Sequence, residues 1–343
     1  MLAFSSSGGN ERAKPIEPRS KAPVFVLGSP RSGTTLLFHM LLSAGNFAVY
    51  RSETHAFNLL ESRYGDLSVP RNKKKLMRAW IGTRMYQISG LEKDDIRSKI
   101  MAGCNNGGDF LRILMGEIAR KQGVERWAEC TPDHLLYMAR IKQTIPDALV
   151  IHIIRDGRDV ALSLEKQKWI RPLPGDGGRQ LEVAALYWEW MVKRGREKGR
   201  MLAGDYCEVI FEELIANPRS VLGRVGAFIE QDLDYDRIRE VAIGSVAEPN
   251  TSFQSGSQSG TFNPVARWKD ALSPEKLGVL ESLIGTTLRE LGYSVAAGEE
   301  KSKQECQVSG LRARYHSYFD LKFWAKTRTP FGKYLVSSDL SLL

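Results

Sequence analysis

The stretch VFVLGSPRSGTTLLFHMLL, residues 24–42, constrains the fold more than any other part of the chain. An apolar run leads into a turn of small residues that contains Arg31, and an apolar pattern with helical spacing follows. This arrangement points successive backbone N–H groups and the positive end of a helix into one small concavity, which suits a phosphate. An ordinary strand-to-helix turn would also have small residues, but the Arg31 guanidinium adds donors that suit a tetrahedral oxyanion.

The same order of strand and helix recurs along the chain and predicts the fold class. Strand-like runs at 24–28, 148–154 and 206–211 are each followed by a helical pattern. Strands separated by helices favour a parallel sheet with crossover helices on both faces. We therefore predict an α/β, three-layer fold of the P-loop type, with a central parallel sheet flanked by helices and with helix-rich insertions.

Length, charge and cysteine content narrow the class of protein. A chain of 343 residues is long enough to bury a globular core, and it has no run of about 18–20 apolar residues that could cross a bilayer. Because no secretion signal is visible, we expect a soluble, cytoplasmic protein with reduced thiols. The four cysteines lack metal-ligand spacing, so no metal site is expected. The 49 Lys and Arg against 40 Asp and Glu favour anionic ligands.

Composition divides the chain into three parts. Residues 1–21 mix Ser, Gly, Pro and charges without a period, which predicts a disordered lead-in. Residues 22–297 carry the strand and helix patterns and form the predicted main domain, in which a Ser/Gly-rich loop at 251–264 should be mobile. A linker and a basic, aromatic tail occupy residues 298–343. The tail could pack on its own domain, lie at an anionic membrane surface or form a homodimer.

A second informative stretch is ALVIHIIRDGRDVALSL, residues 148–164. Its apolar strand ends in Arg155, and ligands of open α/β sheets bind beyond the carboxyl ends of the strands. Ser163 adds a hydroxyl group further along, so this stretch predicts a second phosphate contact. The alternative is that Arg155 and Arg158 only pair with neighbouring aspartates at the surface.

The turn after the first strand also has part of the NTPase P-loop pattern, GxxxxGK[ST]. Gly28, Gly33 and Thr35 stand at matching positions. Thr34 stands where that pattern has lysine, the residue that contacts the β- and γ-phosphates. The missing lysine argues against phosphoryl transfer.

Together, the two stretches resemble those of sulfotransferases that use 3′-phosphoadenosine-5′-phosphosulfate (PAPS). GSPRSGTTLL is similar to the 5′-phosphosulfate loop of that family, and RDGRDVALS is similar to its 3′-phosphate motif. The segments ETH, WAECTPDHL, VIFEELIANP and VARWKDALSPEKL also follow in the order of that family. The resemblance covers residues 23 to about 295 and is closest to the broad bacterial and protein-tyrosine branch.

The resemblance implies a set of cofactor-binding residues. Those implied to hold the 5′-phosphosulfate are Pro30, Arg31, Ser32, Gly33, Thr34 and Thr35. Arg155 and Ser163 are implied to hold the 3′-phosphate, and Arg267 to close over the cofactor. Where that family often has a tyrosine near the adenine, this chain has Phe211, whose ring could stack there or could belong to the core.

Sulfuryl transfer to a hydroxyl group needs a base near the acceptor and a cation near the bridging oxygen. Glu53 matches the glutamate base of protein-tyrosine sulfotransferases, His55 is the rival base, and Arg31 is implied as the catalytic cation. Relatives commonly have a lysine where this chain has Cys130. Arg31, Lys142 or the Ser/Gly-rich loop could supply that charge instead.

The leading hypothesis is a PAPS-dependent sulfotransferase that acts by in-line displacement, without a covalent enzyme intermediate or a metal. Its acceptor could be a hydroxyl group of a sugar, a lipid, a phenol or a peptide tyrosine, and no nucleic-acid partner is expected. One alternative is a protein that binds PAPS or its product, 3′-phosphoadenosine-5′-phosphate (PAP), without transfer, because of Cys130. The other is a P-loop kinase or NTPase, which Thr34 disfavours.

Overall fold

The computed structural model describes residues 18–248, 263–295, 304–329 and 331–335. These residues form a four-stranded parallel sheet with helices on both faces. The strands are β1 (Val24–Leu27), β2 (Ala128–Glu129), β3 (Leu149–Ile154) and β4 (Tyr206–Ile210), in the spatial order β2-β1-β3-β4. The predicted α/β fold with a central parallel sheet is confirmed. The sequence analysis missed β2, because a strand of two residues has no apolar run.

Helices and loops make up the other described residues. In chain order the helices are α1 (Thr34–Ser43), α2 (Ser62–Tyr64), α3 (Pro70–Ile81), α4 (Arg84–Ser89), α5 (Lys93–Gly103), α6 (Gly107–Gln122), α7 (Met138–Thr144), α8 (Gly157–Gln167), α9 (Gln180–Arg200), α10 (Phe211–Ala216), α11 (Pro218–Ile229), α12 (Tyr235–Val241), α13 (Trp268–Ala271), α14 (Pro274–Glu290), α15 (Gln304–Arg328) and α16 (Gly332–Leu335). A π-helix spans Ala56–Glu61, and 3-10 helices span Pro132–Tyr137, Ala203–Asp205 and Gly244–Val246. Helices α1 to α6 lie between β1 and β2 and form the predicted helix-rich insertion. None of the helices within the described ranges is long and apolar enough to span a bilayer.

Alternate residues of β1 pack into two hydrophobic clusters on opposite faces of the sheet. Val24 and Val26 pack with apolar side chains of α1 and α11. Phe25 and Leu27 pack with the cluster that contains α6, α9 and α14. Every residue of β1 and β3 is buried, as expected for a parallel sheet that is covered on both faces. The carboxyl ends of β1 and β3 lie side by side, so the segments that follow them meet at one edge.

Helix α15 packs against α9 between Arg312 and Phe323. Tyr315 and Phe319 are buried between the two helices. Arg312 Nε donates a hydrogen bond to the buried carboxylate of Glu189 at 2.7 Å, and Asp320 accepts hydrogen bonds from two side chains of α9. Of the three alternatives for the tail, packing on its own domain therefore accounts for one face of α15.

Several predicted boundaries fall outside the described residues. The segments concerned are 1–17 of the lead-in, 249–262 of the Ser/Gly-rich loop and 296–303 of the linker. At the end of the lead-in, Arg19 Nη1 lies 3.1 Å from Asp205 Oδ1, so this part of the chain contacts the domain. The division of the chain after residues 21 and 297 stays a prediction.

Candidate functional site

The turn between β1 and α1 has the geometry of an anion-binding loop. Arg31 has φ +73° and Gly33 has φ +95°, so the backbone enters the left-handed region twice before α1 begins. Gly28 must lack a side chain, because a Cβ there would lie 2.5 Å from the carbonyl oxygen of Ile153. No side chain from the described part of the chain caps α1. The first N–H groups of α1 and its positive end are therefore available to an anion.

Two hydroxyl groups in this turn are buried without a partner. The side chains of Ser29 and Ser32 are fully buried, and neither Oγ makes a hydrogen bond to another described residue. Burying a polar group without a hydrogen bond costs free energy, so a group of this kind indicates a missing partner. An oxyanion in the turn would accept both O–H groups. The side chains of the turn therefore fit a phosphate as well as its backbone does.

Three guanidinium groups converge beside this turn. Arg31 Nε donates a hydrogen bond to Ser163 Oγ at 2.8 Å, and Arg155 Nη1 donates to the carbonyl oxygen of Arg31 at 3.2 Å. Burial and the charge of Arg155 lower the pKa of Arg31. Burial and the charges of Arg155 and Arg31 also lower the pKa of Arg267. Cations held this close together favour a ligand with several negative charges. The structure thus brings Ser163 and the three arginines together, although these four predicted residues are distant in the sequence.

Phe211 supports both the turn and the arginine cluster. A Cβ on Gly33 would lie 2.3 Å from the Phe211 ring, and the Arg155 guanidinium lies 4.6 Å from the centre of that ring. Phe211 is 4 % exposed. The structure therefore shows the contact with the core, and a contact of Phe211 with adenine stays a prediction.

Gly33→Ala is expected to destabilise the protein by about 2–4 kcal/mol, because alanine at φ +95° is strained and its Cβ would overlap the Phe211 ring. Urea unfolding would measure the change. The matched control is Gly116→Ala in α6, where nothing lies within 4 Å of the new Cβ and φ is ordinary. The control is expected to stabilise by about 0.5–1 kcal/mol. Equal stabilities for the two variants would contradict this account of the turn.

The other predicted residues of the turn differ in exposure. Pro30 is half-buried and Thr35 is exposed. Thr34 is 3 % exposed, and its side chain makes a hydrogen bond with the thiol of Cys130. The residue at the position of the NTPase lysine therefore points into the protein, which agrees with the argument against phosphoryl transfer.

Cys130 is buried behind the turn. It is 4 % exposed, and burial raises the pKa of its thiol well above the usual value, so the thiol is neutral and supplies no charge. Lys142 does not supply the charge either, because its Nζ donates a hydrogen bond to Asp205 Oδ2 at 2.8 Å and to Ala148, next to the amino end of β3. Of the two described residues that could replace the missing lysine, Arg31 is the one at the turn.

Glu53 and His55 form a pair at the start of the helix-rich insertion. Glu53 Oε2 lies 3.3 Å from His55 Nε2, and Asn58 Nδ2 lies 3.2 Å from His55 Nδ1. Both ring nitrogens of His55 are therefore in contact with other side chains. The Glu53 side chain is 46 % exposed, so Glu53 is the member of the pair that a bound molecule can reach.

The environment of the pair separates the two pKa values. Glu53 is exposed on one side only, and the protein that packs around its other side, together with the neighbouring carboxylates Glu129 and Asp133, raises its pKa to about 8. Burial and the charge of His134 lower the pKa of His55 to about 4. At a pH between these two pKa values, a neutral carboxyl group stands beside a neutral imidazole. Two titratable groups whose pKa values are pushed apart are a common arrangement for general acid–base chemistry.

A second acid–histidine pair lies beneath the first. Glu129 Oε2 lies 3.0 Å from His134 Nδ1, and neither side chain is exposed. Thr54 Oγ1 donates a hydrogen bond to Glu129 Oε1 at 2.8 Å, and the Thr131 N–H donates to Oε2 at 3.1 Å. Against the effect of burial, His134 and the hydroxyl groups hold the pKa of Glu129 at about 2. Glu129 is thus a buried carboxylate that positions the segment between Glu53 and His55.

The sequence analysis missed Glu129. The available signal was an acidic residue at the carboxyl end of a strand, within the segment WAECTPDHL. That signal was hidden because β2 is too short to be recognised as a strand.

Arg158 lies outside the arginine cluster, in the core. Its guanidinium contacts Asp156 Oδ2 at 2.7 Å and Glu281 Oε1 at 2.6 Å, and all three side chains are buried. Arg155 is also buried and lies 3.4 Å from Asp159. These arginines do pair with Asp156 and Asp159, as the alternative predicts, but the pairs are buried, so their predicted place at the surface is wrong.

Comparison with known proteins assigns the chain to one family. The model of the sulfotransferase family matches residues 23–235, more than half of the chain. A protein of Caenorhabditis briggsae, named provisionally as a protein-tyrosine sulfotransferase, is 23 % identical over 284 residues. This match covers 80 % of the present chain and 90 % of the relative.

Solved structures agree with the observed fold. The sulfotransferase domain of the Synechococcus PCC 7002 olefin synthase superposes with a TM-score of 0.53 at 20 % identity, over 79 % of this chain and 95 % of that one. The sulfotransferase domain from the curacin biosynthetic pathway gives a TM-score of 0.52 at 15 % identity, over 80 % and 98 % of the two chains. At these identities the likeness shows the shared fold.

Proposed function

The chain belongs to the sulfotransferase family, and from that premise we propose that it transfers a sulfuryl group from PAPS to a hydroxyl acceptor. The observation that carries the proposal is the convergence of Arg31, Arg155 and Arg267 beside the open amino end of α1. Cations, unpartnered hydroxyl groups and backbone N–H groups together suit a nucleotide that has phosphates at both its 3′ and 5′ positions.

The proposed donor site has two regions. The turn, with its N–H groups and the hydroxyls of Ser29 and Ser32, would hold the 5′-phosphosulfate. Arg155 and Ser163 would hold the 3′-phosphate, and Arg267 would close over the nucleotide. The hydrogen bond from Arg31 to Ser163 joins the two regions. Bound there, PAPS would supply the sulfuryl group. Its 5′-phosphate would be the leaving group and would keep the electron pair of the broken S–O bond.

The Glu53–His55 pair would act as the base. The Asn58 amide donates to Nδ1 of His55, so the ring proton lies on Nε2, which faces Glu53 Oε2 at 3.3 Å and would hold the carboxylate in position. The ionised carboxylate of Glu53 would accept the proton of the acceptor hydroxyl, and because its pKa is about 8 only part of the enzyme carries that carboxylate near neutral pH. Arg31, beside the turn, would stabilise the charge that develops on the leaving phosphate.

The acceptor remains a hydroxyl group of a sugar, a lipid, a phenol or a peptide tyrosine. The name of the Caenorhabditis briggsae relative makes tyrosine the first class to screen. A cytoplasmic location and the lack of a nucleic-acid partner stay predictions from the sequence. The in-line displacement without a covalent intermediate is also part of the proposal.

A binding protein that has lost transfer is the second candidate, because Cys130 is buried and neutral where relatives commonly have a lysine. Such a protein would bind PAP without turnover. The kinase alternative has less support, since Thr34 is buried against Cys130.

Thermal unfolding in the presence of nucleotides would test the donor site. PAP at about 100 times its Kd is expected to stabilise the protein by about 2.7 kcal/mol, whereas ADP and Mg-ATP at the same concentration are expected to have much smaller effects. Arg155→Ala should weaken PAP binding by about 10- to 150-fold, because a charged hydrogen-bond donor is lost.

Arg71→Ala, which removes an exposed arginine on α3, is the matched control and should bind PAP like the wild type. Arg31→Ala should behave like Arg155→Ala. The proposal fails if PAP does not stabilise the wild type, or if Mg-ATP stabilises it more than PAP does.

A further inference from the structure

The end of α15 and the whole of α16 expose an unusual set of large apolar side chains. Its apolar members, which are between 48 % and 74 % exposed, are Leu321, Trp324, Phe331, Tyr334 and Leu335. Its exposed basic members are Lys322, Arg328 and Lys333. We call this set the C-terminal face. We propose that the C-terminal face docks on an anionic membrane surface.

These apolar side chains are not part of the contact between α15 and the domain. Tyr315, Phe319 and Phe323 follow one another at intervals of one helical turn and face the domain. Phe319 packs on Tyr187, Phe323 packs on Tyr137, and the Tyr315 hydroxyl donates to Asp176 at 2.7 Å. Leu321 and Trp324 lie on the opposite side of the same helix and are 62 % and 55 % exposed. Folding of the described chain therefore leaves them in water.

The charge of the segment is complementary to an anionic bilayer. From residue 321 to residue 335 the sequence is LKFWAKTRTPFGKYL. This segment contains lysines and an arginine but no aspartate or glutamate. Aromatic residues between lysines and arginines are typical of helices that lie in the interface of a membrane with anionic lipids. Tryptophan and tyrosine sit at the level of the lipid headgroups, where the ring is partly apolar and partly hydrated.

The same charge pattern disfavours a second copy of the chain as the partner. A two-fold dimer brings the same surface of both subunits together, so the cations of one C-terminal face would meet those of the other. Lysine is also depleted in the cores of protein–protein interfaces. A surface of anionic headgroups satisfies these charges without that repulsion.

The C-terminal face lies on the outer side of helices that bound the Glu53–His55 pair. Helix α16 packs on α2, which continues the π-helix that begins directly after His55. Phe323 packs on Tyr137, in the 3-10 helix that contains Asp133, with 5.4 Å between ring centres. The C-terminal face is therefore joined by direct packing to the segments that carry His55 and Asp133.

Co-sedimentation with lipid vesicles would test the proposal on the full chain. Vesicles of phosphatidylcholine with about 30 % phosphatidylglycerol should bind the protein, pure phosphatidylcholine should bind it much less, and about 0.5 M salt should release most of it. The proposal is wrong if the wild type does not bind the anionic vesicles.

Two variants would locate the contact. Reversing three charges of the C-terminal face, by Lys322→Glu, Arg328→Glu and Lys333→Glu, should lower vesicle binding by about tenfold or more. The matched control makes the same charge change on α11 and α12, by Arg219→Glu, Arg224→Glu and Arg239→Glu, and should change binding by less than about threefold, because these helices pack on the opposite face of the sheet from α15. Equal losses in the two variants would mean a general effect of net charge and would overturn the assignment.

A third variant tests the apolar contribution and the competing occupant. Trp324→Ser with Phe331→Ser should also weaken vesicle binding, while thermal stabilisation by PAP should stay as in the wild type. Because the PAP response is measured separately, failure of vesicle binding is distinct from failure of the proposed function. If size-exclusion chromatography instead showed a dimer that this variant dissociates, a second copy of the chain would be the occupant and membrane docking would be rejected.

Discussion

Glu53→Gln is expected to lower kcat for sulfuryl transfer by about 10²- to 10⁴-fold, the usual contribution of a general base. Binding of PAP should change by less than about twofold, because Glu53 lies outside the donor turn and a neutral amide replaces a group that is neutral near pH 7. Transfer from PAPS to the best hydroxyl acceptor found by screening would measure kcat. Glu125→Gln, at an exposed glutamate paired with Lys21, is the control and should keep wild-type activity.

The pH dependence of kcat/KM would separate the roles of the pair. In the wild type, kcat/KM should rise with pH toward about 8, because Glu53 must ionise before it can accept a proton. In His55→Ala the carboxylate loses the N–H group beside Oε2, so the pKa of Glu53 should rise further and the profile should move to higher pH. An unchanged profile in His55→Ala would show that His55 does not hold the carboxylate that acts as the base.

Arg158→Ala is expected to lower the free energy of unfolding by about 3–5 kcal/mol, the cost of leaving buried charges without their partner. Its guanidinium contacts Asp156 and Glu281, whose side chains are 6 % and 1 % exposed, and it lies 3.7 Å from the centre of the Trp268 ring. Two buried carboxylates would therefore lose the cation that they share. Urea unfolding at pH 7 would measure the loss.

The loss in Arg158→Ala should also depend on pH. Loss of a neighbouring cation raises the pKa of a buried carboxylate, so the folded variant binds protons more tightly than the wild type does, and the deficit in its stability grows as pH rises. The deficit relative to wild type should thus be larger at pH 8 than at pH 5. Arg224→Ala, which breaks an exposed pair with Glu213, is the matched control and should cost about 0.2–1 kcal/mol. Equal losses in both variants would rule out a structural role for the buried pair.

Much of the donor site could be predicted because its parts are local. The strand, the small-residue turn and the helix are continuous in sequence, and backbone geometry there follows from residue type, as the positive φ of Gly33 shows. Arg155 was also predictable, since it stands at the end of an apolar strand and the carboxyl ends of parallel strands form one edge. The family resemblance names Glu53 and His55 only as rival bases, and the contact between their side chains is a finding of the structure.

The parts that could not be predicted depend on which strands are neighbours. Strand β2 pairs with β1, and this pairing brings Glu129 beneath the Glu53 segment and Cys130 against Thr34. A strand of two residues has no periodic pattern, so neither contact could be anticipated from local sequence patterns. Likewise, burial of Arg158 required α14 to supply Glu281 from far along the chain.

The sequence by itself determined the class of fold, the anion-binding turn and the identities of the two candidate bases, because each follows from residues close together in the chain. Only the tertiary structure decided that Arg31 reaches Ser163, that Cys130 is neutral and that Lys142 is engaged at the other end of the sheet. It also decided that one side of α15 is buried on α9 and the other exposed. Charge and burial depend on neighbours that the order β2-β1-β3-β4 brings together, and local sequence patterns do not encode that order.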